Sequence, residues 1–177
     1  LFRSFAGDPR LIYTYHDYSP WQFTHQGVRG SPAYALDAIV YPAPASVDAM
    51  NQATDQRVTA LGLAGAELDL AQQARQTLAG YVSSRFNRSN LERTFQQVAA
   101  WRTAQHLPAQ AILLGEFGVH KTPYQDTAQG AAARASWLRD MRELAETYGF
   151  TWSCWTYLAT GGFALAERSE EHTSELQ

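Results

Sequence analysis

The sequence is nearly without cysteine: Cys154 is the only one among 177 residues, which excludes an internal disulfide. Histidine is sparse as well, and the five present form no Cys/His cluster at ligand spacing, so neither a metal nor a cofactor is expected. Long apolar runs are missing; none approaches the roughly 20 residues of a membrane span, so no membrane partner is expected. An excess of positive charge is missing too. With 14 Lys and Arg against 17 Asp and Glu, the net charge of -3 leaves no basic footprint for nucleic acid. Internal repeats and low-complexity linkers are absent, and nothing fixes an oligomeric state. The balance of 45 % hydrophobic and 18 % charged residues is that of one ordinary globular domain.

Aromatic residues are plentiful, with 5 Trp, 9 Tyr and 8 Phe, and several stand in polar, loop-like sequence rather than at periodic core positions. Such a distribution suits a carbohydrate-binding cleft, because aromatic faces pack on the apolar C–H faces of sugar rings while Tyr and Trp keep a polar handle.

The most informative stretch is Ile112-Leu-Leu-Gly-Glu116-Phe-Gly-Val119, an apolar run that delivers one carboxylate to its end before a Gly-rich exit. Inside a buried strand an unpaired charge would cost several kcal/mol, on the order of 2–7 for a polar group alone. At the C-terminal end of a parallel strand it would instead face a crevice or barrel mouth, where ligands bind. On this run alone two readings stand for Glu116: a carboxylate placed for chemistry, or a solvated strand-end Glu or structural partner of an Arg.

Strand and helix alternate along the chain. Residues 10–18 have the aromatic and β-branched richness of a strand and end at the turn signal Ser19-Pro20. Residues 27–88, with helical patches at 47–58 and 67–83, read as an elaborated loop over a cleft. Ser89 or Asn90 is placed to cap a helix running to about Leu107, where Pro108 stops it. A strand over 111–117 follows, then a helix over 127–148 closed by Gly149, then a strand over 150–158. This order predicts a parallel α/β sheet. Three strands make a poor domain, since both edges would be open, so the chain is expected to be truncated at both ends. Leu1 opens it without Met or leader. The last ten residues, 168–177, resemble the in-frame translation of a short-read sequencing adapter and are set aside as a non-native tail, leaving 1–167 as the domain fragment.

With the strand ends aligned, His16-Asp17-Tyr18, Phe23-Thr-His-Gln-Gly27, Gly115-Glu116-Phe-Gly118 and Trp152-Ser-Cys-Trp155 together resemble the C-terminal part of a glycoside hydrolase family 5 enzyme of the bacterial cellulase-like branch, over about residues 9–163. The resemblance implies a TIM (β/α)8 barrel, of which these strands would be about the sixth to eighth. It further implies a retaining glycosidase acting on β-1,4-glucan, with mannan or another β-glycan, or a non-catalytic carbohydrate-binding relative, as alternatives. The partner would be a β-linked polysaccharide or oligosaccharide met in a secreted or periplasmic setting.

In that resemblance Glu116 matches the nucleophile, and His16 and Tyr18, two apart on a strand and hence on one face, support the sugar and the nucleophile. Trp155 resembles the tryptophan flooring the cleaved-sugar subsite. Trp21 and Phe23 stand where a pair of phenylalanines is usual; they either pack on a sugar or staple their loop. His25 either bonds across the site or is a structural loop histidine. Trp152 is expected to face the other way as core, Trp101 and Trp137 to be helical core, and Tyr41 and Tyr157 to line distant subsites from loop mouths. Ile12, Ile112, Leu114 and Trp152 are expected to face the barrel interior. The family's acid/base glutamate follows an Asn at a strand end. No Asn-Glu pair occurs here, and Glu67 and Glu92 lie in helical, exposed-looking sequence. With its sheet edges open and its interior layers missing, the fragment alone is expected to be aggregated or molten and inactive, and the absent proton donor independently removes most of the rate.

Overall fold

The two longer strands read with a period of two, and their two faces differ in the computed structural model, which describes residues 10–158 and 162–166. In β1 (Tyr13–His16) the tyrosines Tyr13 and Tyr15 are half-buried while Thr14 and His16 are exposed. In β2 (Ile112–Glu116) Ile112 and Leu114 are buried. The strands run parallel with Tyr13 opposite Ile112 and Tyr15 opposite Leu114; then the register slips, bringing His16 opposite Glu116. β3 (Thr151–Trp152) adds parallel to the far edge of β2, giving the order β1-β2-β3. The predicted parallel α/β architecture is thus present, and connections of this length require helical crossovers.

Those crossovers supply the core. Between β1 and β2 lie α1 (Trp21–Thr24), α2 (Asp48–Leu61), α3 (Gly65–Ser83) and α4 (Arg88–Ala104); between β2 and β3 lies α5 (Ala128–Thr147). Phe95 of α4 meets Tyr15 edge-on at 6.1 Å and stacks on Phe150 at 6.2 Å, while Trp137 of α5 packs on Phe117 at 6.2 Å. Trp137 is fully buried, as expected, and its indole N–H donates to the Ser19 carbonyl at 2.9 Å, which satisfies its polar handle.

Several expectations are corrected. Residues 27–88 are not a loop draped over a cleft: α2 and α3 pack together, and Met50, Ala74, Leu78 and Tyr81 join the same core as Phe23, Leu36 and Ile39. The apolar positions Ala71, Ala74, Leu78 and Tyr81 fall at helical spacing on α3, and the Gly, Pro and Ser punctuation that suggested a loop lies mostly before α2. α4 is capped neither by Ser89 nor by Asn90 but by Asn87, in a capping box that Asn90 completes, and it ends at Ala104. Thr127 and Gly149 bound α5 as expected, Thr127 Oγ1 accepting from Gly130 N–H and Gly149 turning out with φ of 70°. Ile112 and Leu114, register partners of the two tyrosines, face the helices and not a barrel interior; only Ile12, 65 % exposed, stands free. Trp152 meets Phe117 edge-on at 5.9 Å on the helix side, yet remains 37 % exposed because β3 is the sheet edge. Trp101 is equally exposed and lies edge-on against Tyr13 at 5.2 Å instead of inside the core. The last strand is far shorter than 150–158, so Trp155 lies beyond it.

Candidate active site

Glu116 ends β2 with its side chain a third exposed. Across the strand ends, the Asp17 N–H donates to the Glu116 carbonyl at 3.1 Å, extending the pairing of β1 and β2 by one bond. The buried Asp17 carboxylate accepts from the Ser19 N–H at 2.8 Å and so turns the chain into α1. Thr24 Oγ1 then donates back to the Tyr18 carbonyl at 2.6 Å. Held this way, the Tyr18 hydroxyl donates to Glu116 Oε2 at 3.0 Å, and His16 Nδ1 lies 3.5 Å from the same oxygen. Burial, followed by the hydrogen bond to Glu116 and the charge of its carboxylate, pushes the Tyr18 hydroxyl well above the usual tyrosine range, so it remains a donor at neutral pH.

Tyr18 is braced by rings. It meets His25 edge-on at 5.1 Å and Phe163 at 5.9 Å; Phe163 also meets His25 at 5.5 Å and His120 at 5.4 Å. His25 Nδ1 lies 3.0 Å from Thr24 Oγ1, and His120 Nδ1 lies 3.0 Å from the Gln26 carbonyl, to which it donates when protonated at that nitrogen. Burial lowers the pKa of both histidines; the positive charge of His120 adds to this for His25, as do Arg57 and Arg134 for His120, against an opposing hydrogen bond to Gln26.

The exit from Glu116 runs directly against the segment bearing Trp155. The Trp155 N–H donates to the Phe117 carbonyl at 2.8 Å, and a Cβ on Gly118 would strike the Trp155 carbonyl oxygen, so only glycine fits there. Trp155 is 51 % exposed, and the peptide that follows it is cis. On the other side, a cleft of about 770 Å³ is lined by His16, Tyr18, Trp21, Gln76 and Thr77 among others. Among the described residues no group of three or more His, Cys, Asp or Glu side chains is arranged to hold a metal ion.

The strand ends thus bring together a tyrosine-held carboxylate, a neighbouring cleft that Tyr18 and His16 help to line, and an exposed tryptophan. The profile of the cellulase family, glycosyl hydrolase family 5, matches residues 4–161. The chain belongs to that family. Endoglucanase 3 of Fibrobacter succinogenes is 25 % identical over 164 residues, which cover 92 % of this chain and 22 % of that protein. The crystal structure of the cellulose synthase subunit Z of Clostridioides difficile superposes with a TM-score of 0.54 at 21 % identity, over 90 % of this chain and 36 % of that one. The chain therefore spans about a fifth of the curated relative's length and about a third of the solved structure's.

Within this family member the predicted residues sort into three groups. Glu116, His16 and Tyr18 converge, even though β1 ends at His16 and an unbroken strand does not carry Tyr18. His25, Trp21 and Trp155 surround them, the first against Tyr18, the second on the cleft wall and the third bonded through its backbone to the Glu116 exit. Phe23 is removed from the substrate-facing set: it is fully buried and packs on Tyr41 at 5.9 Å, so it staples α1 to the core. Tyr41 is likewise buried, its hydroxyl donating to Asp140 at 2.7 Å, and lines no loop mouth; Tyr157 is exposed. Glu67 is exposed at the start of α3 and Glu92 accepts from the Tyr148 hydroxyl at 3.0 Å, so neither is near Glu116 in role. Sequence reasoning missed His120 and Phe163. His120 stood four residues past Glu116 in the Gly-rich exit, a signal that was available; Phe163 lies in irregular sequence with no period to mark it.

Proposed function

We propose that this chain is the nucleophile-bearing C-terminal part of a retaining hydrolase of β-1,4-glucan, its three strands standing sixth to eighth in a (β/α)8 barrel. The observation that carries the reading is the Tyr18 hydrogen bond to Glu116 Oε2 at 3.0 Å, in a member of a glycosidase family. The sequence likeness to a protein named Endoglucanase 3 supports glucan as the substrate class. Tyr18 and His16 both act on Oε2, which leaves Oε1 to attack the anomeric carbon from a fixed direction. The glycosyl–oxygen bond of the substrate breaks as the Glu116–sugar ester forms, and water later releases the sugar with its original β configuration.

A retaining pair needs a second carboxyl about 5–5.5 Å away to protonate the leaving oxygen. The sequence contains no Asn-Glu pair to supply it, so the proton donor is assigned to a strand upstream, and the 177 residues alone hydrolyse no β-glucan. Trp155 floors the subsite of the cleaved sugar, Trp21 borders the next, and His25 steadies Tyr18. A secreted or periplasmic location follows from the reading, since polymeric glucan does not enter cells.

The test is Glu116→Gln in the full-length protein. Turnover of a soluble β-glucan is expected to fall by roughly 10³-fold or more with sugar binding retained, and NMR of the unmutated enzyme should show the β anomer first. Near-normal hydrolysis by the variant, or an α product, would overturn the reading.

A further inference from the structure

Two segments that flank the site are fastened to one side chain. Arg134, on the inner side of α5 beside the buried Ala133 and Trp137, donates Nε–H to the Val119 carbonyl at 3.2 Å and Nη2–H to the carbonyls of Phe163 at 3.4 Å and Ala164 at 2.8 Å. Val119 belongs to the exit from Glu116, and Phe163 presents its ring edge to Tyr18 and His25. The segment has further ties: Thr156 N–H donates to the same Phe163 carbonyl at 3.2 Å, and Lys121 N–H to the Gly162 carbonyl at 2.6 Å. The backbone of Trp155, the residue preceding Thr156, is bonded to Phe117. A planar guanidinium spans the gap between two loops in one rigid fork; an ammonium would reach one of them at a time.

We infer that Arg134 is a positioning residue for the Glu116 site: by fixing Phe163 it keeps the Tyr18 ring seated and the Tyr18 hydroxyl on Oε2, and by fixing Val119 it sets the loop leaving the nucleophile. The inference rests on Glu116 acting as the nucleophile. The chain of contact is short: guanidinium to the Phe163 backbone, Phe163 ring to Tyr18 at 5.9 Å, Tyr18 hydroxyl to the carboxylate at 3.0 Å. Removing the fork takes away the ties of the Phe163 segment to α5 and leaves those to Thr156 and Lys121, so the segment loosens and the Tyr18 ring gains room to move. The hydroxyl then leaves Oε2 for part of the time, and a carboxylate without a fixed orientation attacks less often. Arg134 touches neither substrate nor reacting atoms, so the loss falls on the chemical step and not on binding.

The experiment uses the full-length protein with a soluble β-glucan, counting competent sites by covalent trapping with a 2-deoxy-2-fluoro-glycoside, so that rates refer to folded enzyme. Arg134→Met is expected to lower kcat per trapped site roughly 10–100-fold with KM within twofold, since a misplacement of about 1 Å from a remote change can cost that much. Arg134→Lys, which keeps the charge but not the fork, is expected to recover little of it. Phe163→Leu should reproduce the loss, and the double variant should be no worse than either single, because both break one line of support. Unchanged kcat per trapped site with only a lower melting temperature, full rescue by Lys, or losses that multiply in the double variant would each overturn the inference. If Glu116→Gln retains turnover, the nucleophile assignment fails instead; if it is dead while Arg134→Met turns over normally, this inference alone fails.

Discussion

The two faces of the sheet follow different rules. On the helix side, Tyr13, Tyr15, Ile112, Leu114 and Phe150 meet Trp101, Phe95 and their neighbours in ring edges and close apolar contact, and the buried members leave almost no surface. On the other side Ile12, Thr14, His16 and Thr151 are exposed, and Gly115 is bare because a Cβ there would run into Thr14 Oγ1 and the His16 ring. The first face is saturated and sets where the strand ends stand; the second carries the groups that act from those ends. Packing is thus concentrated on one side so that the side chains at the C-terminal edge can be few, polar and accurately placed.

The comparison breaks most visibly at Phe95. It is fully buried between Tyr15, Tyr148 and Phe150, and truncating so large a core ring costs about 3–5 kcal/mol. Phe95→Ala should therefore unfold a marginal protein or lower its melting temperature steeply. Ile12→Ala sharpens the contrast: in the full-length protein it is expected to cost about 2–5 kcal/mol if upstream strands close a barrel over it, and under about 0.5 kcal/mol if that face meets water. A silent Ile12→Ala in the full-length protein, measured by denaturant midpoint, would refute the barrel placement.

At the boundary between the faces stands Gly118, whose missing side chain admits the Trp155 carbonyl and brings the Phe163 ring within 3.2 Å of where a Cβ would be. Gly118→Ala must push the Trp155 segment away from the Glu116 exit. The expected cost is about 1–3 kcal/mol of stability, as for an overpacked core, and under the proposed role of Trp155 a fall in kcat accompanies it. Kinetics unchanged in a destabilised variant would show that Trp155 does not depend on this contact. A smaller loss, about 1 kcal/mol, is expected for Asn87→Ala, which removes the side-chain acceptor of the Ser89 N–H at 2.8 Å and with it the α4 cap; activity per folded molecule should not change.

How much of this was legible follows the same division. The strand-end carboxylate could be found because an apolar run ending in Glu and then Gly has few structural uses, and α5 could be bounded because Thr127 and Gly149 carry local capping chemistry. His16 and Tyr18 were placed by a strand period that fails after His16; they still reach Glu116 because the register slip and the Asp17–Ser19 turn replace the lost pleat. Faces were harder. Phe23 and Tyr41 look like cleft aromatics in sequence, since both stand among Pro, Gly and polar residues, yet each fills space between α1, α3 and α5 that only the tertiary arrangement creates. Ile112 and Leu114 face the opposite side from the expected one because the run through Leu113 is apolar on both faces, and alternation gives no sign when every residue is hydrophobic. Residues 1–9, 159–161 and 167–177, the tail among them, lie outside the described residues.

The smallest effect expected is a difference in pH response between the faces. His25 and His120 flank Phe163, and burial holds both below the ordinary histidine value of 6.5. A histidine whose folded pKa is depressed binds its proton more readily when unfolded. Its contribution to stability is therefore whole above pH 6.5 and is lost as pH falls through the lower, folded value. The surroundings reinforce this: Arg57 and Arg134 disfavour a charged His120, His120 disfavours a charged His25, and Tyr18 stands between His25 and the Glu116 carboxylate. Melting temperatures of the full-length protein, taken from about pH 8 down to about pH 5, should fall on the acid side. Changing His25 to Gln and His120 to Asn should flatten that fall, since neither replacement takes up a proton. Asn87→Ala on the helix side should lower the curve evenly without changing its slope. An acid slope that persists undiminished in the double histidine variant would place the proton uptake elsewhere and remove pH sensitivity from the list of differences between the two faces.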